Sequence, residues 1–263
     1  MKSGAVANFK DLVSPGTMMT KSGLGMTAST DDILNKIEEN YASGEYRWTI
    51  HAKPEATKVR AVVVDNFDFY ILLGYLAHWF VPWCWDNEYM YQAMNEHQKF
   101  RFWRLNQRYV SLGMQAIDLD YSSFDETEAR ELVVRIIIFL CKQAVKLSNY
   151  HKDVVRVFDM VIELIDKVKI TVDHGDISFD LPWGNGLPSG ILVTWLINAL
   201  VNGGTILYVS SVLGIRHTLF CVQGDDSRLM GHYTAEDYEN LTSGLTEVGL
   251  TVNKTKSSFQ AAG

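Results

Sequence analysis

The sequence has 263 residues, a formal net charge of −7 and 47% hydrophobic residues, a balance typical of a folded globular protein and too apolar for a disordered chain. An acidic chain does not bind nucleic acid over its whole surface, so any such surface must be local or supplied by other segments. The three cysteines have no metal-ligand spacing, which disfavours a zinc site and favours reduced thiols.

The first third of the chain contains a basic pair on a predicted strand. Residues 1–45 are rich in Gly, Ser, Thr and Met, and one helix-like stretch follows Asp31-Asp32. Residues 47–64 have the pattern of extended structure, with Lys58 and Arg60 two positions apart. Both side chains can point to one face of a strand and there bind a triphosphate. A solvent-exposed edge of mixed charge is the simpler alternative.

Residues 67–110 are predicted to be mostly helical, and their last part combines basic and aromatic residues. Arg101, Arg104 and Arg108 alternate there with Phe and Trp. Such a stretch can contact the phosphates of a nucleic acid. An amphipathic helix with solvated arginines is the alternative.

A short predicted strand over residues 114–120 leads into a helix over about 126–147. Asp120 ends the strand, and Asp125 follows at the start of the helix. A carboxylate at a strand end can project into a cleft, and Asp125 can face the same cleft. A simple acidic first turn of the helix is the alternative.

A loop at 184–190 precedes the most apolar segment of the chain. Residues 191–215 predict a buried helix followed by a buried strand, and interior polar residues disfavour a membrane span. Ser189 and Gly190 lie at the junction of loop and helix, where free backbone N–H groups can bind a phosphate. Thr194 and Asn198 are four positions apart and share a helix face. Helix–helix contact is the alternative reading of these polar groups.

The strands at 218–222 and 228–230 flank Gly224-Asp225-Asp226, which predicts a β-hairpin. Adjacent carboxylates at a hairpin tip repel each other unless a cation or solvent screens them. A solvated turn is the alternative. A last helix, over about 235–248, precedes a segment that ends in Lys256.

The order of these pieces resembles that of viral RNA-dependent RNA polymerases, of the positive-strand or double-stranded RNA virus type. Residues 53–60, 120–125, 186–198 and 223–226 resemble their motifs F, A, B and C, and residues 247–256 resemble motif D. Each piece by itself is weak, but their joint occurrence in this order is specific. The resemblance covers about residues 47–258.

The mixture of helices and strands predicts an α+β class, and the resemblance implies a right-hand polymerase palm with partial fingers. Residues 1–113 are then partial fingers, and residues 114–263 are the palm, with a fingers-like insertion at about 140–182. The resemblance implies a thumb after the motif D-like segment, and none is recognisable before Gly263. We therefore expect a fragment whose partners include the thumb and the rest of the fingers.

The resemblance also implies the roles of individual residues. Two Mg²⁺ ions, with Mn²⁺ as an alternative, would be bound by Asp120 and Asp225, with Asp226 as the weaker, supporting ligand. The carbonyl of Leu119 or the carboxylate of Asp118 would be a further ligand. Lys256 would be the general acid, with Lys254 as the alternative.

For the nucleotide, the resemblance implies that Asp125 and Asn198 recognise the ribose 2′-hydroxyl. Ser189, Gly190 and Thr194 would support them, and Lys58 and Arg60 would bind the triphosphate.

The function implied is template-directed transfer of NMP from NTP to an RNA 3′-hydroxyl for viral genome replication and transcription. The partners implied are an RNA template, a nascent strand and NTPs, in the host cytoplasm, in a virion or in a replication complex. One alternative is a reverse transcriptase-like enzyme, disfavoured by Asn198 and Ser189-Gly190. The other is a catalytically incompetent palm fragment that binds RNA.

Overall fold

The computed structural model describes residues 30–43, 47–54, 59–86, 89–91, 94–174 and 177–260. These residues form eight helices and eight strands, which confirms the α+β class. The helices are α1 Thr30–Ser43, α2 Phe67–Asp86, α3 Glu96–Ser111, α4 Phe124–Thr127, α5 Arg130–Leu147, α6 Lys152–Ile165, α7 Thr194–Leu213 and α8 Ala235–Glu247. The strands are β1 Arg47–Pro54, β2 Val59–Val64, β3 Gln115–Leu119, β4 Lys169–His174, β5 Ile177–Pro182, β6 Leu219–Gln223, β7 Asp226–Gly231 and β8 Ser258–Gln260.

The chain forms two compact units. The first contains the described residues up to Ala77 together with Arg130–Gly184 and Pro188–Leu192. The second contains His78–Ala129, Asn185–Leu187 and the described residues from Val193 onward. The fingers and palm boundaries expected from the sequence stay a prediction.

The first unit is built on a four-stranded sheet of order β2-β1-β4-β5. Its pairs are antiparallel except for β1 with β4, which is parallel. The side chain of Trp48 is fully buried, with ring centroids 5.7 Å from Phe69 and 5.2 Å from Trp183. Large aromatic side chains of this kind contribute most of the apolar area that stabilises such a core.

Gly190 belongs to this unit and lies against the backbone of β2. A Cβ atom at this position would be 2.3 Å from the Val63 carbonyl oxygen and 2.7 Å from Val62 Cγ1. We expect Gly190→Ala to lower the free energy of unfolding by about 2 kcal/mol or more, because the backbone must shift to admit the methyl group.

The matched control for Gly190→Ala is Gly204→Ala. Gly204 lies inside α7, and a Cβ atom there would meet nothing within 4 Å. Alanine should therefore raise the free energy of unfolding by about 0.5–1 kcal/mol through its better helix propensity. Urea denaturation measures both effects, and equal values for the two variants would contradict the close contact at Gly190.

The second unit is built on an antiparallel sheet of order β6-β7-β3-β8. Helix α7 packs on β6, where a Cβ atom at Gly203 would lie 3.5 Å from the Phe220 ring and 3.7 Å from Val222 Cγ1. Helix α8 packs on α7, with Gly244 close to Val209. The small residues Gly203 and Gly244 thus allow α7 to pack closely on β6 and α8 to pack closely on α7.

Three sequence-based expectations about elements were wrong. Residues 194–213 form one helix, without the strand predicted in this segment, because Gly203 serves close packing on β6 and does not end the helix. The helix predicted from about 126 is divided into α4 and α5, and the Glu128 carbonyl at the break accepts a hydrogen bond from Gly186 N–H. Strand β8 was not predicted, since its pairing with β3 is long-range.

Helix α7 is long and apolar enough to cross a membrane by length and composition alone. Half of its apolar window is buried inside the protein, as in the core helix of a globular domain. This is weak support for a membrane span.

Candidate active site

The carboxylates singled out in the sequence meet at one end of the second sheet. Leu119 on β3 pairs with Ser227 on β7, so the residues that follow and precede them, Asp120 and Asp226, come close together at the end of this pair. Gln223 pairs with Asp226, which leaves Gly224 and Asp225 as a two-residue hairpin turn. Gly224 has a φ of 64°, the left-handed conformation that glycine adopts without strain at the first position of such a turn.

The three carboxylates affect one another electrostatically. The pKa of Asp226 is raised, first by burial and then by the charges of Asp225 and Asp120, while Lys256 lowers it. Lys256 Nζ lies 3.4 Å from Asp120 Oδ1 and 3.5 Å from Asp120 Oδ2. The cluster thus has an excess of negative charge that one ammonium group only partly compensates.

The backbone of Asp120 is held by the segment before β8. Its N–H donates to Ser257 Oγ at 3.0 Å, and its carbonyl accepts from Asn253 N–H at 2.9 Å. The Ser257 hydroxyl is also 3.1 Å from the same carbonyl. Nothing in the sequence indicated Ser257, because the contact joins positions far apart in the chain.

Asp118 lies on the same strand as Asp120 but has a different environment. Arg228 Nη1 is 2.8 Å from Asp118 Oδ1 and 2.9 Å from its Oδ2, across the β3–β7 pair. The guanidinium also lies over the Trp103 ring, 5.9 Å from its centroid. Asp118 is therefore charge-compensated by Arg228, and this disfavours a direct part for it beside the three clustered carboxylates.

A second polar contact joins the start of α4 to α7. Asn198 Nδ2 donates to Asp125 Oδ1 at 2.7 Å, and the Asn198 side chain is buried. Among the described residues, the buried Oδ1 of Asn198 has no hydrogen-bond partner. The loop at Leu187 closes over this site by donating its N–H to the Asp125 carbonyl at 2.7 Å. The pair therefore offers one unused acceptor beside a carboxylate.

Asn202, one turn after Asn198, is a residue that sequence reasoning missed as part of the site. It is fully buried, and its Nδ2 contacts the carbonyl oxygens of Gly224 and Asp225 at 3.0 Å and 2.7 Å. Its Oδ1 accepts from the Tyr121 hydroxyl at 2.9 Å. A buried Asn at i+4 from another, in an otherwise apolar helix, was the available signal.

The remaining predicted nucleotide-binding residues are described only in part. Ser189 and Gly190 lie in the first unit, with Ser189 exposed. Arg60 lies on β2 opposite Lys53, but its side chain is outside the described residues, as is the whole of Lys58. Thr194 begins α7, one turn before Asn198.

A cavity of about 310 Å³ lies beside the carboxylates in the second unit. Asp120, Asp226 and Lys256 form one side of it, and Tyr91 and Trp103 contribute aromatic surface.

Helix α3, which carries Trp103, also carries the predicted RNA-binding arginines. Arg101, Arg104 and Arg108 are exposed on it, whereas Phe102 and Asn106 are its buried residues. This geometry is compatible with phosphate binding and equally with an amphipathic helix.

The donor set fits a hard divalent cation better than any other ion. Oxygen ligands suit Mg²⁺ or Mn²⁺, and the buried Asp120 Oδ1 accepts no hydrogen bond from the described residues. As arranged, no group of three His, Cys, Asp or Glu side chains in the described part of the chain is close enough to bind an ion by itself. The Leu119 side chain is buried in the core, and coordination by its carbonyl stays a prediction.

Comparison with known proteins agrees with this geometry. Residues 49–262 match the family model described as viral RNA-dependent RNA polymerase. The chain is also 29% identical, over 189 residues, to a protein of Giardia lamblia virus (isolate Wang) named as a probable RNA-directed RNA polymerase. That match covers 67% of this chain and 9% of the relative, so the chain spans only a small part of the relative's length.

An α+β protein whose sheet carries clustered carboxylates at a hairpin tip is typical of polymerase palms. This chain belongs to the viral RNA-dependent RNA polymerase family. Family members depend in general on divalent metal ions, and the relative indicates a context of viral replication.

Proposed function

We propose that this chain contains the catalytic site of a viral RNA-dependent RNA polymerase, which transfers NMP from NTP to an RNA 3′-hydroxyl under the direction of an RNA template. The observation that carries the proposal is the β3–β7 register, which brings Asp120 close to Asp226 and the Asp225 turn. Because the relative is far longer, the rest of the polymerase would supply the thumb and the remaining fingers.

Asp120, Asp225 and Asp226 would hold two Mg²⁺ ions, or Mn²⁺, with the Leu119 carbonyl as a further ligand. Bound there, such ions would lower the pKa of the attacking 3′-hydroxyl and neutralise charge on the triphosphate and leaving pyrophosphate. Burial is the first cause of the raised pKa of Asp226, and the charges of Asp225 and Asp120 are the next. Those two charges support this assignment, because carboxylates that repel each other favour a bound cation.

Asp125 and Asn198 would select the ribonucleotide. Asn198 Nδ2 donates to Asp125 Oδ1, which orients both side chains, and Asn198 Oδ1 remains an acceptor for the 2′-hydroxyl hydrogen. A deoxyribose would leave this buried acceptor unpaired, and such a loss is costly. Ser189, Gly190 and Thr194 would support the nucleotide from the loop and the first turn of α7.

Cationic side chains would bind the phosphate groups and compensate their negative charge. Lys256 is already within 3.5 Å of Asp120, so its ammonium can deliver a proton to the leaving pyrophosphate. Lys58 and Arg60 would bind the triphosphate, and Arg101, Arg104 and Arg108 would contact the phosphates of the template or the nascent strand. No reverse transcriptase activity is proposed, since the unpaired Asn198 Oδ1 supports recognition of a 2′-hydroxyl.

We further propose that residues 114–263, apart from an insertion at about 140–182, form the palm and that residues 1–113 are partial fingers. Such a polymerase would work in the host cytoplasm, within a virion or a replication complex.

Primer extension with the 263-residue chain tests the proposed function. We expect Mg²⁺-dependent incorporation of NTPs on a primed RNA template, with dNTPs used far less. Asn198→Ala should reduce this preference for NTP over dNTP by roughly 100-fold or more, because it removes the acceptor proposed for the 2′-hydroxyl and the hydrogen bond that orients Asp125. Thr242→Ala, which removes a buried hydroxyl elsewhere in the second unit, is the control and should keep the preference.

Equal use of NTPs and dNTPs by the unaltered chain would favour the reverse transcriptase-like alternative. Retention of RNA binding without any incorporation would favour a palm fragment that is inactive by itself.

A further inference from the structure

The side chain of Asn202, on helix α7, contacts the backbone of the hairpin that carries Asp225. Its Nδ2 is 2.7 Å from the Asp225 carbonyl oxygen, 3.0 Å from that of Gly224 and 3.4 Å from that of Asp226. An amide nitrogen has two hydrogens, so the two shorter contacts are the main hydrogen bonds. Every carbonyl of the tip is thus within reach of one buried side chain.

The other end of the same amide contacts the segment that carries Asp120. Asn202 Oδ1 accepts a hydrogen bond of 2.9 Å from the hydroxyl of Tyr121, the residue directly after Asp120. Both side chains are buried, with Asn202 fully enclosed and Tyr121 only 5% exposed. Asn202 therefore bridges the two backbone segments that present the carboxylates.

This arrangement is costly to replace, because the Asn202 amide and the Tyr121 hydroxyl are both buried. Loss of either hydrogen bond would leave a buried donor or acceptor unpaired, which is unfavourable. Gly203, next in the chain, packs against Phe220 and keeps this part of α7 close to β6. The position of the amide relative to the hairpin is therefore defined on both sides.

We propose that Asn202, together with Tyr121, is a positioning residue that sets the separation of Asp120 and Asp225 and so makes the site selective for Mg²⁺. This inference rests on the proposed function, since it takes these carboxylates as metal ligands. Mg²⁺ requires near-ideal octahedral geometry with short oxygen distances, whereas Ca²⁺ accepts more ligands in a flexible arrangement. A shift of the hairpin tip relative to β3 penalises Mg²⁺ more than Ca²⁺.

The test is the dissociation constants of Mg²⁺ and Ca²⁺, measured by isothermal titration calorimetry on the 263-residue chain. Asn202→Ala and Tyr121→Phe should weaken Mg²⁺ binding by roughly 10- to 100-fold, the usual range for groups that orient metal ligands. The dissociation constant of Ca²⁺ should change by about threefold or less, because its coordination is flexible.

Ser210→Ala is the matched control for stability. Ser210 is a buried residue of the same helix, and its hydroxyl lies 2.8 Å from His217 Nε2, away from the hairpin tip. This variant should lower the thermal unfolding temperature but leave both dissociation constants unchanged.

Wild-type affinity for Mg²⁺ in both variants, or an equal loss of Mg²⁺ and Ca²⁺, would overturn the positioning role. If Asn202→Ala does not fold, Tyr121→Phe decides the matter, since it removes one hydroxyl and little volume. Asp225→Asn distinguishes failure of the metal assignment from failure of the positioning role. If Asp225→Asn binds Mg²⁺ as tightly as the wild type, both the metal assignment and the positioning role are wrong. If Asp225→Asn loses Mg²⁺ binding but Asn202→Ala and Tyr121→Phe keep it, only the positioning role is wrong.

Discussion

Replacing Asp225 by Asn should reduce RNA synthesis by at least about 1,000-fold, equivalent to about 4 kcal/mol in the activation barrier. The substitution keeps the shape of the turn and its backbone hydrogen bonds from Asn202 but removes one negative charge from the cluster. The site would then hold divalent cations less tightly, and Mg²⁺ titration should show a parallel loss of affinity. Extension of a primed RNA template measures the first effect, and calorimetry the second.

Two comparisons make this result specific. Asp226→Asn should cause a smaller loss, because Asp226 is expected to be the weaker, supporting ligand. Asp153→Asn removes one negative charge from the exposed first turn of α6, in the other compact unit, and should leave synthesis unchanged. Full synthesis by Asp225→Asn would contradict the assignment of the hairpin tip as the metal site.

The contribution of Glu128 to the stability of the protein should fall as the pH rises from 5 to 8. This side chain is 2% exposed, and neither of its carboxylate oxygens has a hydrogen-bond partner among the described residues. Burial, with a smaller contribution from Asp125, raises the pKa of Glu128 to about 8. Between the unfolded pKa of about 4.3 and this value the folded state binds the extra proton, so rising pH favours unfolding.

Glu128→Gln should remove this pH dependence. We subtract the free energy of unfolding of the wild type from that of Glu128→Gln at each pH. This difference should be about 3 kcal/mol larger at pH 8 than at pH 5, as the shift in the pKa of Glu128 implies. Urea denaturation at the two pH values gives this difference, which does not depend on the absolute effect of a buried amide.

Glu126→Gln is the control for this titration, because Glu126 is an exposed residue of α4, two positions before Glu128. It should change stability equally at both pH values. A difference between wild type and Glu128→Gln that stays constant with pH would show that the Glu128 carboxyl does not carry a proton in the folded protein.

The sequence predicted the parts of the candidate site that depend on local structure. The hairpin at Gly224 follows from two extended segments around a two-residue turn, and a turn of this length determines which residues of the two strands pair. Asp120 was predicted at a strand end for the same kind of reason. The spacing of Asp125 and Asn198 led to their expected partnership only through the resemblance, and the structure joins them by a hydrogen bond.

The helices that support this site could not be predicted from the sequence, because their limits depend on contacts with distant segments. Residues 191–215 were predicted as a helix followed by a strand, yet residues 194–213 form one helix, and the missing side chain of Gly203 in its middle allows close contact with β6. The break between α4 and α5 likewise depends on the loop at Gly186, almost sixty positions later in the chain. Local propensity is a weak determinant wherever a distant segment supplies the contact.

Residue types and their order along the chain were thus sufficient for the family and for the α+β class, and they predicted the three carboxylates of the candidate site. Tertiary contacts decided which groups hold those carboxylates in place: Ser257 on the backbone of Asp120, Arg228 on Asp118, and Asn202 under the hairpin. These contacts join positions from 23 to 137 residues apart. A hydrogen bond between distant residues has no periodicity, so it becomes apparent only once the strands and helices are packed.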